Sequence, residues 1–178
     1  MRRPACLLII STAALLLGVR PDGSVWSAEF SAEEQPAVER NLAIVVNLSN
    51  PVDNLSMAEL RRIFLGERGH WPNGRRITLV MLEPRQPERA AVLSGIYQMS
   101  ENGFNNHFLH GLFTGEVFVS PKTLATPEGV RKFIFNVPGA IGYLRATYVD
   151  KSIKVIRIDE RLPDDKGYKL HIPPRQAK

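Results

Sequence analysis

Leu42 to Gly74 reads LAIVVNLSNPVDNLSMAELRRIFLGERGHWPNG. It packs a strand, a polar loop, a capped helix and a Trp-Pro turn into one short span. Leu42 to Val46 is an apolar run rich in β-branched residues, the composition of a strand covered on both faces. Asn47, Ser49, Asn50, Pro51, Asp53 and Asn54 form a loop that cannot extend the strand. Ser56, with Glu59 three residues on, predicts a capping box at a helix start. Met57, Leu60, Ile63 and Phe64 make the apolar stripe of that helix, and Gly66 is its stop signal. A strand that feeds a helix start through a polar loop suits an anion site, and it equally suits an ordinary connection.

Pro138 to Leu144, PGAIGYL, adds a turn followed by a short strand. Gly142 inside that strand predicts close approach of another backbone or of a ligand. Between the two segments, Ile77 to Leu82 is a further apolar run. Gln86 to Met99 has helical periodicity, with Pro87 in its first turn and Val92, Leu93, Ile96 and Tyr97 inward. Ser100 to Phe113 predicts a second helix with Phe104, Phe108, Leu109, Leu112 and Phe113 on one stripe. Thr126, Pro127 and Glu128 open a third, with Val130, Phe133 and Ile134 inside. Ile153 to Ile158 mixes apolar and basic residues, as an edge or half-buried strand does. Strands and helices alternate, which predicts an α/β domain with a mixed sheet and flanking helices.

Together, AIVVNLSNPVDNLSMAELRRIFLGERGHWPNGRRITLV, the FTG at Phe113 to Gly115, PGAIGY and IKVIRID resemble the substrate-binding components of phosphate ABC transporters and their small relatives. The resemblance covers most of Asn41 to Asp159 and is nearest to a short, roughly half-length branch. It implies a single periplasmic-binding-protein-like lobe of type II. The two-lobed members carry an early Gly/Ser/Thr loop that donates to phosphate. Here the segment before Leu42 is SAEFSAEEQPAVERN. They carry a second phosphate loop after the strand matching Ile77 to Leu82, with an Arg, an acidic residue and a Ser-Gly-Thr run. Here that stretch is EPRQPERAA, which keeps Arg85 and Arg89 without the Ser-Gly-Thr. The fold carries over; tight phosphate binding does not.

The 178 residues suit one domain. Arg2 and Arg3 precede the apolar run Cys6 to Val19, and small residues follow, so residues 1–27 are expected to be a secretory signal cut after Ser27. The alternatives are an uncleaved anchor or, less in keeping with the place of Cys6, a lipoprotein. Residues 28–40 are expected to form a flexible leader, 41–160 the binding-protein-like domain and 161–178 a turn-rich, poorly ordered C-terminal tail. Cys6 is the single cysteine, so the expected mature protein has no disulfide. Removing residues 1–27 takes away three arginines and one aspartate and lowers the formal charge from +5 to +3. The expected location is periplasmic, with no membrane span left after cleavage and no role for nucleic acid.

Ligand groups are expected where α/β sheets bind, in the crevice beyond the strand ends. Asn47 and Ser49 on the first loop, Arg85 on the loop after Leu82, and Tyr143 beside Gly142 are the candidate ligand-binding residues. Arg grips an oxyanion with two parallel bonds, and Ser or Asn adds neutral donors. The structural alternative is that Asn47 and Ser49 only complete their turn and Arg85 is solvated. His107 and His110 have a metal-ligand spacing without a third ligand, so packing and surface roles are expected. Glu83 and Glu88 lack a nucleophile beside them, and no hydrolase, Walker or zincin motif occurs. Trp71 is expected to anchor its turn. Arg61, Arg62, Arg75 and Arg76 are expected on solvated faces. No catalytic residue, metal or cofactor is expected. The chain is read as an exported, non-enzymatic solute-binding-like protein that takes phosphate or another small oxyanion weakly. The alternative is a ligand-free structural or regulatory module that binds a protein partner in the envelope.

Overall fold

The computed structural model describes residues 40–173. The expected signal segment and nearly all of the leader lie outside the described residues. β1 (Leu42–Asn47) is followed by the two-residue β2 (Asn54–Leu55), α1 (Met57–Phe64) and β3 (Thr78–Leu82). α2 (Pro87–Val92) runs into a π-helical turn, Leu93–Tyr97, which ends at Gln98 in the left-handed region. α3 (Glu101–Thr114), β4 (Lys122–Leu124), α4 (Pro127–Asn136) and β5 (Ala140–Arg145) come next. A 3-10 turn, Ala146–Tyr148, leads to β6 (Ile153–Val155) and β7 (Arg157–Ile158), the last strands among the described residues.

Five strands form one mixed sheet in the order β4-β3-β5-β1-β6. β3 pairs in parallel with β4 and with β5, whereas β1 is antiparallel to both of its neighbours, β5 and β6. β1 therefore runs against the other four strands. It is fully buried, as its β-branched composition predicts.

Alternation along β5 sorts the helices onto two faces. Gly142 faces α4: a Cβ there would lie 3.2 Å from Ile134 Cδ1 and 3.2 Å from the Val80 carbonyl. The close approach expected at Gly142 is thus to a neighbouring strand and helix. Tyr143, on the other face, meets an aromatic cluster from α1, the π turn and α3. Its ring lies 6.5 Å from Phe64; Phe64 lies 5.9 Å from Tyr97, and Tyr97 lies 5.0 Å from Phe104.

α1 starts as expected. The Ser56 hydroxyl accepts from the Glu59 N–H, and the Glu59 carboxylate accepts from the Ser56 N–H at 3.0 Å. Gly66, at φ 80°, lets the chain leave the helix. Trp71 is buried and donates from Nε1 to the Gly139 carbonyl at 3.0 Å, tying its turn to the start of β5.

Three expectations differ from the structure. On α3, Phe104, Phe108 and Gly111 are buried, but Leu109, Leu112 and Phe113 are exposed. The inner face of this helix is closed by Val117, which folds back onto Gly111; a Cβ at Gly111 would lie 2.3 Å from Val117 Cγ2. Of residues 161–178, expected as a poorly ordered tail, the described part up to residue 173 packs beside the start of β1. Leu42 donates to the Leu170 carbonyl, Ile172 donates to that of Arg40, and the Tyr168 hydroxyl donates to that of Leu42. Tyr168, Leu170 and Ile172 are buried at alternate positions, a period-two pattern that also stands in the sequence. Ile153 to Ile158 is two strands: β6 pairs with β1, and β7 leaves the sheet to pair in parallel with β2.

Candidate functional site

The direction of β1 separates the candidate residues. Val46 of β1 lies opposite Ile141 of β5, and Leu79 of β3 also pairs with Ile141. The carboxyl end of β1, with Asn47 and Ser49, is thus beside the amino end of β3. Arg85 follows the carboxyl end of β3, at the other end of the sheet. Strands of five residues at about 3.3 Å each set the two loops on the order of 15 Å apart. The convergence expected for these groups does not occur. It would require β1 and β3 to run the same way, and they run oppositely.

At the first end, the Asn47 amide donates to the Ile134 carbonyl at 2.9 Å and to that of Phe135 at 2.7 Å. Its oxygen accepts from the Ser49 N–H and hydroxyl at 2.9 and 2.8 Å. Asn47 is buried, and its polar atoms are engaged in closing α4 and its own loop. Ser49 is exposed and accepts from Arg75 Nη1 at 2.8 Å. The pairing of Ser49 with Arg75 was not legible, because it joins two loops 26 positions apart.

At the second end, Arg85 is exposed and holds φ 74°, which turns the chain sharply between β3 and α2. Tyr143 is buried beneath, and its hydroxyl accepts from the Leu82 N–H at 3.1 Å. Burial pushes its phenol well above the usual range. It therefore stays neutral and holds the last residue of β3 in place.

Two ion pairs flank this strand end. Arg89, buried, donates to the Leu82 carbonyl at 2.8 Å and grips the Glu101 carboxylate through Nε and Nη2. Arg145 pairs with Glu88, whose side chain is likewise buried. Glu88 thus belongs to an Arg pair and not to a pair of catalytic carboxylates. The i,i+12 relation of Arg89 and Glu101 crosses two helices, so periodicity within either one could not reveal it.

His107 Nε2 lies 2.9 Å from the Leu65 carbonyl, where it ties α3 to the end of α1, and His110 is exposed. Among the described residues no three His, Cys, Asp or Glu side chains gather as metal ligands, and no helix is long and apolar enough to cross a membrane.

No protein-family model matches the chain. Solved structures do. An ABC-type phosphate transport receptor from Vibrio cholerae matches over 70% of this chain and 48% of its own, with 23% identity and a TM-score of 0.57. A Clostridium perfringens protein solved with bound phosphate matches over 70% and 47%, at 19% identity and a TM-score of 0.58. PstS from Borrelia burgdorferi matches over 75% and 55%, at 11% identity and a TM-score of 0.58. The chain spans about half the length of these proteins. The likeness establishes the fold alone: a mixed α/β unit with flanking helices, shared with proteins of the kind that the motifs resemble.

Proposed function

We propose that this chain is an exported, non-enzymatic binding lobe that takes a small oxyanion weakly through the turn at Arg85. The observation that carries the proposal is the exposed Arg85 guanidinium on a left-handed turn at the carboxyl end of β3. The fold likeness to proteins named for phosphate supports the ligand class. Weakness follows from the surroundings. Arg89 and Arg145 are both engaged by carboxylates of the chain itself. One exposed guanidinium in a wet site replaces little of the water an anion loses on binding. Tyr143 serves the site by holding Leu82, and Asn47 and Ser49 belong to the opposite end.

Titration calorimetry of the mature protein with phosphate, sulfate and small carboxylates tests this. Millimolar or weaker affinity that Arg85→Ala reduces further is expected. Micromolar affinity overturns the weak site. Measurable binding that Arg85→Ala leaves untouched moves it elsewhere, with Ser49 and Arg75 next to mutate. Export is tested separately by the mass of the protein in an envelope fraction, where loss of residues 1–27 is expected.

One observation favours a second reading, a ligand-free module that binds a protein partner in the envelope. Leu109, Leu112 and Phe113 lie exposed on one face of α3, and Phe118 in the following loop is exposed too. Monomers rarely leave such apolar groups clustered without use. Under this reading, Leu112→Ser with Phe113→Ser abolishes a cross-linked complex in the envelope and leaves anion titration unchanged.

A further inference from the structure

Arg89 is 3% exposed and lies at the carboxyl end of β3. Two contacts fix the plane of its guanidinium without neutralising it. Nη1 donates to the Leu82 carbonyl at 2.8 Å, and the group stands 4.8 Å from the centre of the Phe104 ring. Neutralisation comes from Glu101, in the first turn of α3. Nε lies 3.1 and 3.0 Å from its two carboxylate oxygens, and Nη2 lies 2.5 Å from Oε1. This fork is the geometry with which a guanidinium takes a free carboxylate or phosphate.

The two partners differ in depth. The Arg89 side chain is 4% exposed and that of Glu101 is 36%. The cation is built into the domain, and the anion covers it from the surface. The neighbouring pair has the opposite order, with Glu88 at 6% and Arg145 at 21%. Glu88 is held by Arg145, whereas the fork on Arg89 is made by Glu101. Hence the charge of Arg89 is answered by a side chain that solvent can reach.

We infer that the Arg89 guanidinium is an oxyanion site occupied by the protein's own Glu101, which an external carboxylate or phosphate enters only when that side chain is displaced or removed. A tethered group competes at an effective concentration on the order of millimolar. Weakly held anions below that level are therefore kept out of the intact protein. Without Glu101 a buried charge is left uncompensated, and an anion that fills the gap is bound in its place. The site is separate from the Arg85 turn and does not depend on it.

The test uses the mature full chain with Glu101→Ala and Glu101→Gln, and phosphate, sulfate and acetate as probes against chloride at equal ionic strength. Glu101→Ala is expected to melt below the parent in chloride and to regain most of the loss with phosphate or sulfate. By titration its oxyanion affinity should rise at least tenfold over the parent. The gain should vanish when Arg89→Met is added and persist when Arg85→Ala is added. If Glu101→Ala does not fold, Glu101→Gln, which keeps a hydrogen-bonding partner for Arg89, serves for the titration. No gain in either variant overturns the inference. So does a gain that survives Arg89→Met, or one that Arg85→Ala removes. Failure of the Arg85 site in the parent protein leaves these outcomes unaffected.

Discussion

The Asn47 side-chain amide lies 2.7 Å from the carbonyl of Phe135, so the last residue of β1 closes the carboxyl end of α4. A second carbonyl, that of Ile134, accepts from the same amide at 2.9 Å. Helix ends leave such carbonyls without partners, and here a buried side chain supplies the donor. Asn47→Ala should cost about 1–3 kcal/mol, the range for leaving buried polar groups unpaired. Asn47→Asp should cost more, because it sets a negative charge against the negative end of the helix dipole. Urea midpoints measure both. An unchanged midpoint in Asn47→Ala would show that solvent replaces the amide in full. Oxyanion titration of Asn47→Ala should match the parent.

Ser56→Ala should lower stability by about 1 kcal/mol through loss of the cap on α1. The other half of the box carries a pH signature. The Ser56 N–H, and then its hydroxyl, hold the Glu59 carboxyl below its ordinary value of 4.5. A carboxyl lowered by folding contributes stability above its unfolded value, and that contribution is lost as pH falls through the folded one. Glu59→Gln keeps a capping side chain and lacks the titration. The parent should therefore be the more stable at neutral pH, and the gap should close in the acid limb below about pH 4. A gap that stays constant with pH would detach Glu59 from the cap.

Tyr143→Phe removes the acceptor for the Leu82 N–H. About 1–3 kcal/mol of stability should be lost at neutral pH. At high pH the difference narrows. Burial raises Tyr143 above its ordinary value of 10.0, and it raises Tyr97 and Tyr168 as well. The unfolded chain ionises first, so stability present below pH 10 is lost as the pH rises toward the folded values. The alkaline limb of Tyr143→Phe should be shallower than that of the parent. Parallel alkaline limbs in a denaturation series would contradict the buried phenol.

Gly139→Ala places a Cβ 2.1 Å from the Arg76 carbonyl oxygen, in a backbone that also accepts from Thr78 and Trp71. The clash is with main chain and cannot be relieved by a rotamer, so a loss of about 3 kcal/mol is expected. Gly74 gives the contrast. It holds φ 79°, and nothing lies within 4 Å of a Cβ there. Gly74→Ala should cost about 1 kcal/mol, from backbone strain alone. Similar midpoints for the two variants would refute the close approach at Gly139.

The elements whose instructions are local can be read directly from the residues. The β-branched run at Leu42 to Val46, the Ser56–Glu59 box, the stop at Gly66 and the turn anchored by Trp71 each follow from residues within a few positions of one another. The Gly142 signal was legible for the same reason: a missing side chain announces close contact, though not with what. Period fixes which residues share a face, but not which element that face meets or which way a strand runs. The folded chain sets β1 against the rest of its sheet, and that direction parts Asn47 and Ser49 from Arg85. It decided that Leu109, Leu112 and Phe113 stay in solvent while Val117 closes on Gly111. It also brought Glu101 onto Arg89 and laid the residues around Leu170 along β1. Each of these depends on contacts between segments far apart in the chain, whose geometry no local pattern encodes.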